Sequence, residues 1–146
     1  MNAHSKGAVL AIDHGTKRTG FAVVDALRIA PQPIDTFHGP GDGHELIQFI
    51  AGLLAERDIA TILVGFPLRA DGAKTARAED VERFIERLRQ TTDIEIVRHD
   101  EHLSTKEAEA RLADAGYFGA ERKARRDSFS AWVILQDWLE LGEPRN

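Results

Sequence analysis

Apolar residues recur along this chain in two periods, and the alternation between them lays out the elements. The run Ala8-Val9-Leu10-Ala11-Ile12 is short and unbroken, which predicts a strand buried on both faces. It stops at an acid, Asp13. A Gly-containing turn, Gly15 to Thr19, leads into Gly20-Phe21-Ala22-Val23-Val24, a second strand that so short a connection sets antiparallel to the first. A third, looser strand is expected within 28–37, confined to a sheet edge by Pro31 and Pro33, which have no N–H to give to a ladder.

The period then lengthens. Leu46, Ile50, Leu53 and Leu54 mark one face of a helix. It runs into Ala60-Thr61-Ile62-Leu63-Val64, another short strand, stopped by Gly65 and Pro67. Val81, Phe84, Ile85 and Leu88 stand at i, i+3, i+4 and i+7, with Glu79, Asp80, Glu82 and Arg87 on the other faces, and predict a second helix. Ile94 to Val97 reads as the fifth strand. Ser104 opens a third helix, with Glu107 completing a capping box. The last helix is expected from about Asp127 to Leu141, with Ala131, Ile134, Leu135 and Trp138 on one face. Three meandering strands followed by helix-linked strands predict an α/β fold with a mixed sheet covered by helices, because each helical crossover leaves its strand parallel to the one before.

Composition narrows the class without changing this outline. The 146 residues are 42% hydrophobic and 29% charged, ordinary for one globular domain spanning 1–146 and too apolar for a disordered chain. With zero cysteines, disulfides and thiolate zinc sites are excluded. Met1 to Gly7 carries one lysine, and the apolar run behind it is about a third of the length a signal or membrane segment needs. A cytoplasmic protein without membrane contact is expected. The formal net charge of −5 argues against a strongly basic, nucleic-acid-coating protein, so a polyanion must bind at a local patch. Arg122, Lys123, Arg125 and Arg126 supply one within five positions, read either as a solvated loop or as a binding patch.

Three carboxylates stand at element ends. Asp13 follows the most buried strand, Glu101 lies just beyond the fifth, and Asp127 begins the last helix in line with Ala131 and Ile134. Ligands of open α/β sheets bind beyond the carboxyl ends of strands. Taken singly, each acid has a plainer reading: an Asx turn at Asp13, a solvated loop charge at Glu101, a helix N-cap at Asp127. Gathered at one edge they would repel, and a hard divalent cation is the usual remedy. Such a cation activates water and stabilises the leaving oxygen of a phosphodiester without a protein nucleophile. Other motifs fail: Phe21-Ala22 stands where a P-loop needs Lys-Ser or Lys-Thr, and His99-Asp100-Glu101-His102 is not the zinc-hydrolase pattern. No Gly-x-Ser-x-Gly is present.

Asp13-His14-Gly15-Thr16-Lys17-Arg18-Thr19-Gly20-Phe21-Ala22 resembles the opening motif of the YqgF-type (RuvX/YqgF), Holliday-junction-resolvase-like nucleases, also described as pre-16S rRNA nucleases. The resemblance continues in Val64-Gly65-Phe66-Pro67-Leu68 with Asp71-Gly72, in Arg77-Ala78-Glu79, in Asp100 to Thr105 with Glu107-Ala108, and in Asp127, Ala131 and Ile134-Leu135-Gln136. It implies a ribonuclease H-like fold, a five-stranded mixed sheet flanked by helices, with Asp13, Glu101 and Asp127 as the catalytic, metal-binding set for Mg2+ (or Mn2+). His102, where the family usually has arginine, and Ser130, where a small apolar residue is usual, depart from the pattern.

The expected activity is a metal-dependent nuclease on structured nucleic acid, in maturation of the 5′ end of pre-16S rRNA. Lys17, Arg18 and the basic residues Arg122, Lys123, Arg125 and Arg126 would position the backbone. An rRNA precursor is expected ahead of a DNA junction, and the chain as a monomer or homodimer. The alternatives are a ribosome-assembly factor that binds without cleaving and a Holliday-junction-type DNA resolvase. Nucleotide binding of the actin and sugar-kinase type needs two such domains, and this chain supplies one.

Overall fold

The computed structural model describes residues 7–67, 75–100, 110, 111, 113, 114, 116 and 119–145, with 119–127 described by backbone alone. Its elements follow the order β1 (Ala8–Asp13), β2 (Arg18–Val24), β3 (Gln32–Pro33), β4 (Phe37–His38), α1 (His44–Glu56), β5 (Ile59–Phe66), α2 (Ala76–Arg89), β6 (Glu95–Asp100) and α3 (Gly119–Glu140). The sheet runs β3-β2-β1-β5-β6, with β4 also on β2. β1 is antiparallel to β2 and parallel to β5, and β5 is parallel to β6.

β1 lies at the centre because its residues can be buried on both sides. Leu10 and Ile12 face α1 and α2 with Phe21, Ile62 and Val64. Val9 and Ala11 face α3 with Ala22, Leu63, Ile134 and Trp138. The alternation of a strand thus becomes two separate cores, one on each face of the sheet. On α2, Val81, Phe84, Ile85 and Leu88 are buried as their spacing predicts, joined by Ala78. Thr75 caps that helix, its hydroxyl accepting from the Ala78 N–H at 3.0 Å.

Three sequence expectations need correction or limits. The third strand is realised as two pieces of two residues, with Pro33 at the sheet edge opposite Ala22; the prolines shorten it as their missing donors require. The last helix begins at Gly119, not near Asp127. Its apolar stripe starts later than the helix because the sequence of the first turns is largely charged, so periodicity alone marked only the apolar part. The third helix expected from Ser104 falls mostly outside the described residues, of which 110, 111, 113 and 114 are helical. Among the described residues no helix is long and apolar enough to cross a membrane.

Candidate active site at the carboxyl edge of the sheet

The parallel set β1, β5 and β6 ends on one edge, where Ile12 pairs with Val64, and Gly65 and Phe66 pair with His99 and Asp100. Asp13 is the last residue of β1 on that edge. Its side chain is 15% exposed and meets the Arg77 guanidinium, which donates to Oδ1 at 3.3 Å. Arg77 is in the first turn of α2, the helix that follows β5 through its crossover, so the fold brings together two residues 64 apart in the chain.

The turn after Asp13 is built by its neighbours. The Gly15 N–H donates to the Thr19 hydroxyl at 3.4 Å. The segment 39–41 closes over the turn, Gly39 N–H donating to the Lys17 carbonyl and Gly41 N–H to the Thr16 carbonyl, each at 2.9 Å. His14 is 4% exposed. Its Nε2 lies 2.8 Å from the Gly41 carbonyl, and its ring stacks on Phe84 with centroids 4.3 Å apart. Only a residue without a Cβ fits at position 41, where one would lie 2.1 Å from the Gly15 carbonyl oxygen. Lys17 and Arg18 are exposed on this braced turn, Arg18 opening β2 opposite His38 of β4.

The other expected site residues divide sharply. Glu101 and His102 lie outside the described residues, immediately after β6. Asp127 lies within α3, eight positions after Gly119, so the N-cap reading of Asp127 is wrong. Arg122, Lys123, Arg125 and Arg126 fall in the first two turns of that helix, so this segment is helix and not loop. Cations near a helix N-terminus oppose its macrodipole, so helix stability does not account for them there. Ser130 is 3% exposed on the packed part of α3. It is as small as the apolar residue that the resemblance led one to expect there, and among the described residues no buried side-chain polar atom lacks a partner.

His99 is committed elsewhere, its Nε2 2.7 Å from Oδ2 of Asp137 on α3. Among the described residues no three His, Cys, Asp or Glu side chains form a metal-binding group; of the three expected ligands only the Asp13 side chain is among those described. What Asp13 offers a hard divalent cation is a largely buried carboxylate at a strand end; the Arg77 guanidinium paired with it competes for the same charge and would have to turn aside for the cation. Sequence reasoning placed Arg77 in a motif but did not connect it to Asp13, and it did not anticipate the burial of His14. The spacing of Arg77 before Val81 and Phe84 could have placed it at the start of α2, on the edge where β1 ends.

The match to known proteins spans nearly all of this framework. Residues 7–141 match the family model described as RuvX, Holliday junction resolvase. A protein of Endomicrobium trichonymphae named "Putative pre-16S rRNA nuclease" is 34% identical over 134 residues, covering 91% of this chain and 95% of that protein. A protein of the same name from Chlorobium luteolum is 39% identical over 138 residues, covering 92% and 95%. Among solved structures, RuvC of T. thermophilus in complex with a Holliday junction substrate superposes with a TM-score of 0.57 at 12% identity, over 95% of this chain and 98% of that one. Fowlpox virus resolvase with Holliday junction DNA does so at 0.57 and 9%, over 92% and 97%. At such identities the likeness carries the fold, which is the ribonuclease H-like fold of the RuvC resolvases. On the extent of the family match and the identity to its relatives, this chain belongs to the RuvX family.

Proposed function

We propose that this chain is a divalent-metal-dependent nuclease that hydrolyses phosphodiester bonds of structured nucleic acid, in maturation of the 5′ end of pre-16S rRNA. The observation that carries the reading is Asp13, a largely buried carboxylate ending the central strand of a RuvC-like sheet, at the edge where β5 and β6 also end. The rRNA substrate comes from the names of relatives at 34% and 39% identity, which outweigh the DNA junctions bound by structural neighbours at 12% and 9%.

In this mechanism Asp13, Glu101 and Asp127 would hold the cation. Mg2+ or Mn2+, when bound, supplies the charge that activates water and eases departure of the leaving oxygen. The chain's own work is placement. Arg77 neutralises Asp13 while the site is empty of substrate and stands ready to donate to a phosphate oxygen at the same edge. Lys17 and Arg18, on a turn braced by the 39–41 segment, contact the backbone on one side of the cleaved bond. Arg122, Lys123, Arg125 and Arg126 contact it from the start of α3. The protein acts as a monomer or homodimer in the cytoplasm.

The test is purified protein with labelled rRNA precursor and with a four-way DNA junction, each in magnesium, manganese or chelator. Cleavage of the precursor, abolished by chelator and by Asp13→Asn, is expected. Binding without cleavage under every metal would turn the reading to an assembly factor, and preferential cutting of the junction would turn it to a resolvase.

A further inference from the structure

Beside the Asp13 edge lies a cavity of about 240 Å3 that the nuclease reading does not use. One wall is the turn after Asp13 with the stretch that braces it, contributing Thr16, Gly41 and Asp42. The opposite wall is α2, where Asp80, Arg83 and Arg87 line the opening, and the stacked rings of His14 and Phe84 form its apolar side. Both walls are held in place before any ligand arrives. Arg87 donates to the Asp42 carbonyl, bridging from α2 to the opposite wall, and Arg83 donates to the Asp80 carboxylate. The cavity adjoins the site through the chain: Asp13 directly precedes His14, and Arg77 lies one turn before Asp80.

The charges of the lining select the ligand. Two guanidiniums and two carboxylates balance, so a phosphate would meet Asp42 and Asp80 while a cation would meet Arg83 and Arg87. A neutral planar group with donors and acceptors along one edge satisfies both. Unpaired nucleobases are such groups, and proteins read them by hydrogen bonds to the edge and by stacking on aromatic rings or guanidinium planes. Guanine presents O6 and N7 together, the pair a guanidinium grips bidentately. It also presents N1–H beside the N2 amine, two adjacent donors for one carboxylate. Arg83 donates to Asp80 across one helical turn, so a donor and an acceptor of the kinds these two halves of the guanine edge require stand together at the opening.

We propose that this cavity takes one unpaired guanine of the nucleic-acid substrate, the Asp80 carboxylate accepting from N1–H and the N2 amine, and Arg83 and Arg87 donating to O6 and N7. The proposal rests on the nuclease reading. It makes that enzyme selective for a guanine near the cleaved bond, because the base is held next to the Asp13 edge.

The test is titration of the full chain with guanosine, adenosine, cytidine and uridine 5′-monophosphates and with inorganic phosphate, followed by backbone amide shifts in NMR. Guanosine monophosphate is expected to shift the amides of Gly41, Asp42 and the 80–87 turns with at least tenfold tighter binding than the other nucleotides. Asp80→Asn and Arg87→Gln should each abolish that preference. Arg83→Gln, at a side chain 68% exposed, keeps the test readable if either of those unfolds. Equal shifts from all four nucleotides, displacement by inorganic phosphate, or no shift at these amides would overturn the guanine site. Guanine-selective shifts in a chain that cleaves no nucleic acid would uphold the cavity and count against the nuclease reading alone.

Discussion

Gly41→Ala and Gly52→Ala make the same chemical change and should move stability in opposite directions. At position 41 the new Cβ would lie 2.1 Å from the Gly15 carbonyl oxygen and 2.8 Å from His14 Nε2. Ordinary contact begins near 3.4 Å, so the two backbone segments must part by roughly 1 Å. Three hydrogen bonds span that seam: Gly41 N–H to Thr16, Gly39 N–H to Lys17, and His14 to the Gly41 carbonyl. Each contributes about 0.5–1.5 kcal/mol, and leaving the buried imidazole unpaired costs about 1–3 kcal/mol. Partial relaxation leaves a loss of about 2–4 kcal/mol. At position 52, an exposed site in α1, nothing lies within 4 Å of the new Cβ. There alanine gains about 0.5–1 kcal/mol through helix propensity. Urea unfolding of both variants should therefore separate them by about 3–5 kcal/mol, and calorimetry by on the order of 10 °C in Tm. Cleavage by Gly41→Ala should fall further than its stability, since the displaced turn carries Lys17 and Arg18 next to Asp13. A Gly41→Ala protein as stable as the wild type would refute the tight seam and with it the argument that this turn is rigid.

Asp13→Asn should abolish cleavage while changing stability by no more than about 1 kcal/mol, because its partner Arg77 is 43% exposed and such a pair contributes little; retained nuclease activity in well-purified protein would remove Asp13 from the mechanism. Arg125→Ala with Arg126→Ala should weaken nucleic-acid binding and flatten the slope of log affinity against log salt by up to about two units, and an unchanged slope would send the backbone path to α2. Glu143 has its carboxyl held below the ordinary value of 4.5, first by the hydrogen bond from Arg28 and then by the charges of Arg28 and Arg145, against the opposing effect of burial. A lowered folded-state pKa contributes stability above the unfolded value, lost as pH falls through the lowered one. The Tm gap between wild type and Glu143→Gln should accordingly be present at neutral pH and close as the pH falls below 4.5 and through the lowered value, whereas a gap independent of pH would sink the assignment.

Much of this architecture was legible without coordinates. The unbroken run Ala8 to Ile12 could be buried only in the middle of a sheet, and β1 lies there between β2 and β5. The 3.6-residue stripe of α2 is buried as spaced because periodicity reports which face packs, whatever it packs against. Asp13 stood out as an acid ending that central strand.

The same logic failed where the apolar spacing gives no signal. α3 extends upstream of Asp127 through charged turns that carry no apolar stripe, so the packed part passed for the whole. The third strand could be placed at an edge from its prolines, but not divided, since pairing two residues at a time depends on where β2 offers free groups. Tertiary structure alone decided which distant groups meet. Arg77 reaches Asp13 only because the crossover after β5 starts α2 at the edge where β1 ends. His14 is buried against Phe84 and Gly41 only because the 39–41 segment folds back over the turn. Local pattern governs elements, since φ, ψ and burial of one face are set within a few residues. A site and its neighbouring cavity are built from contacts across the chain, and those exist only once the crossovers have brought the strand ends to one edge.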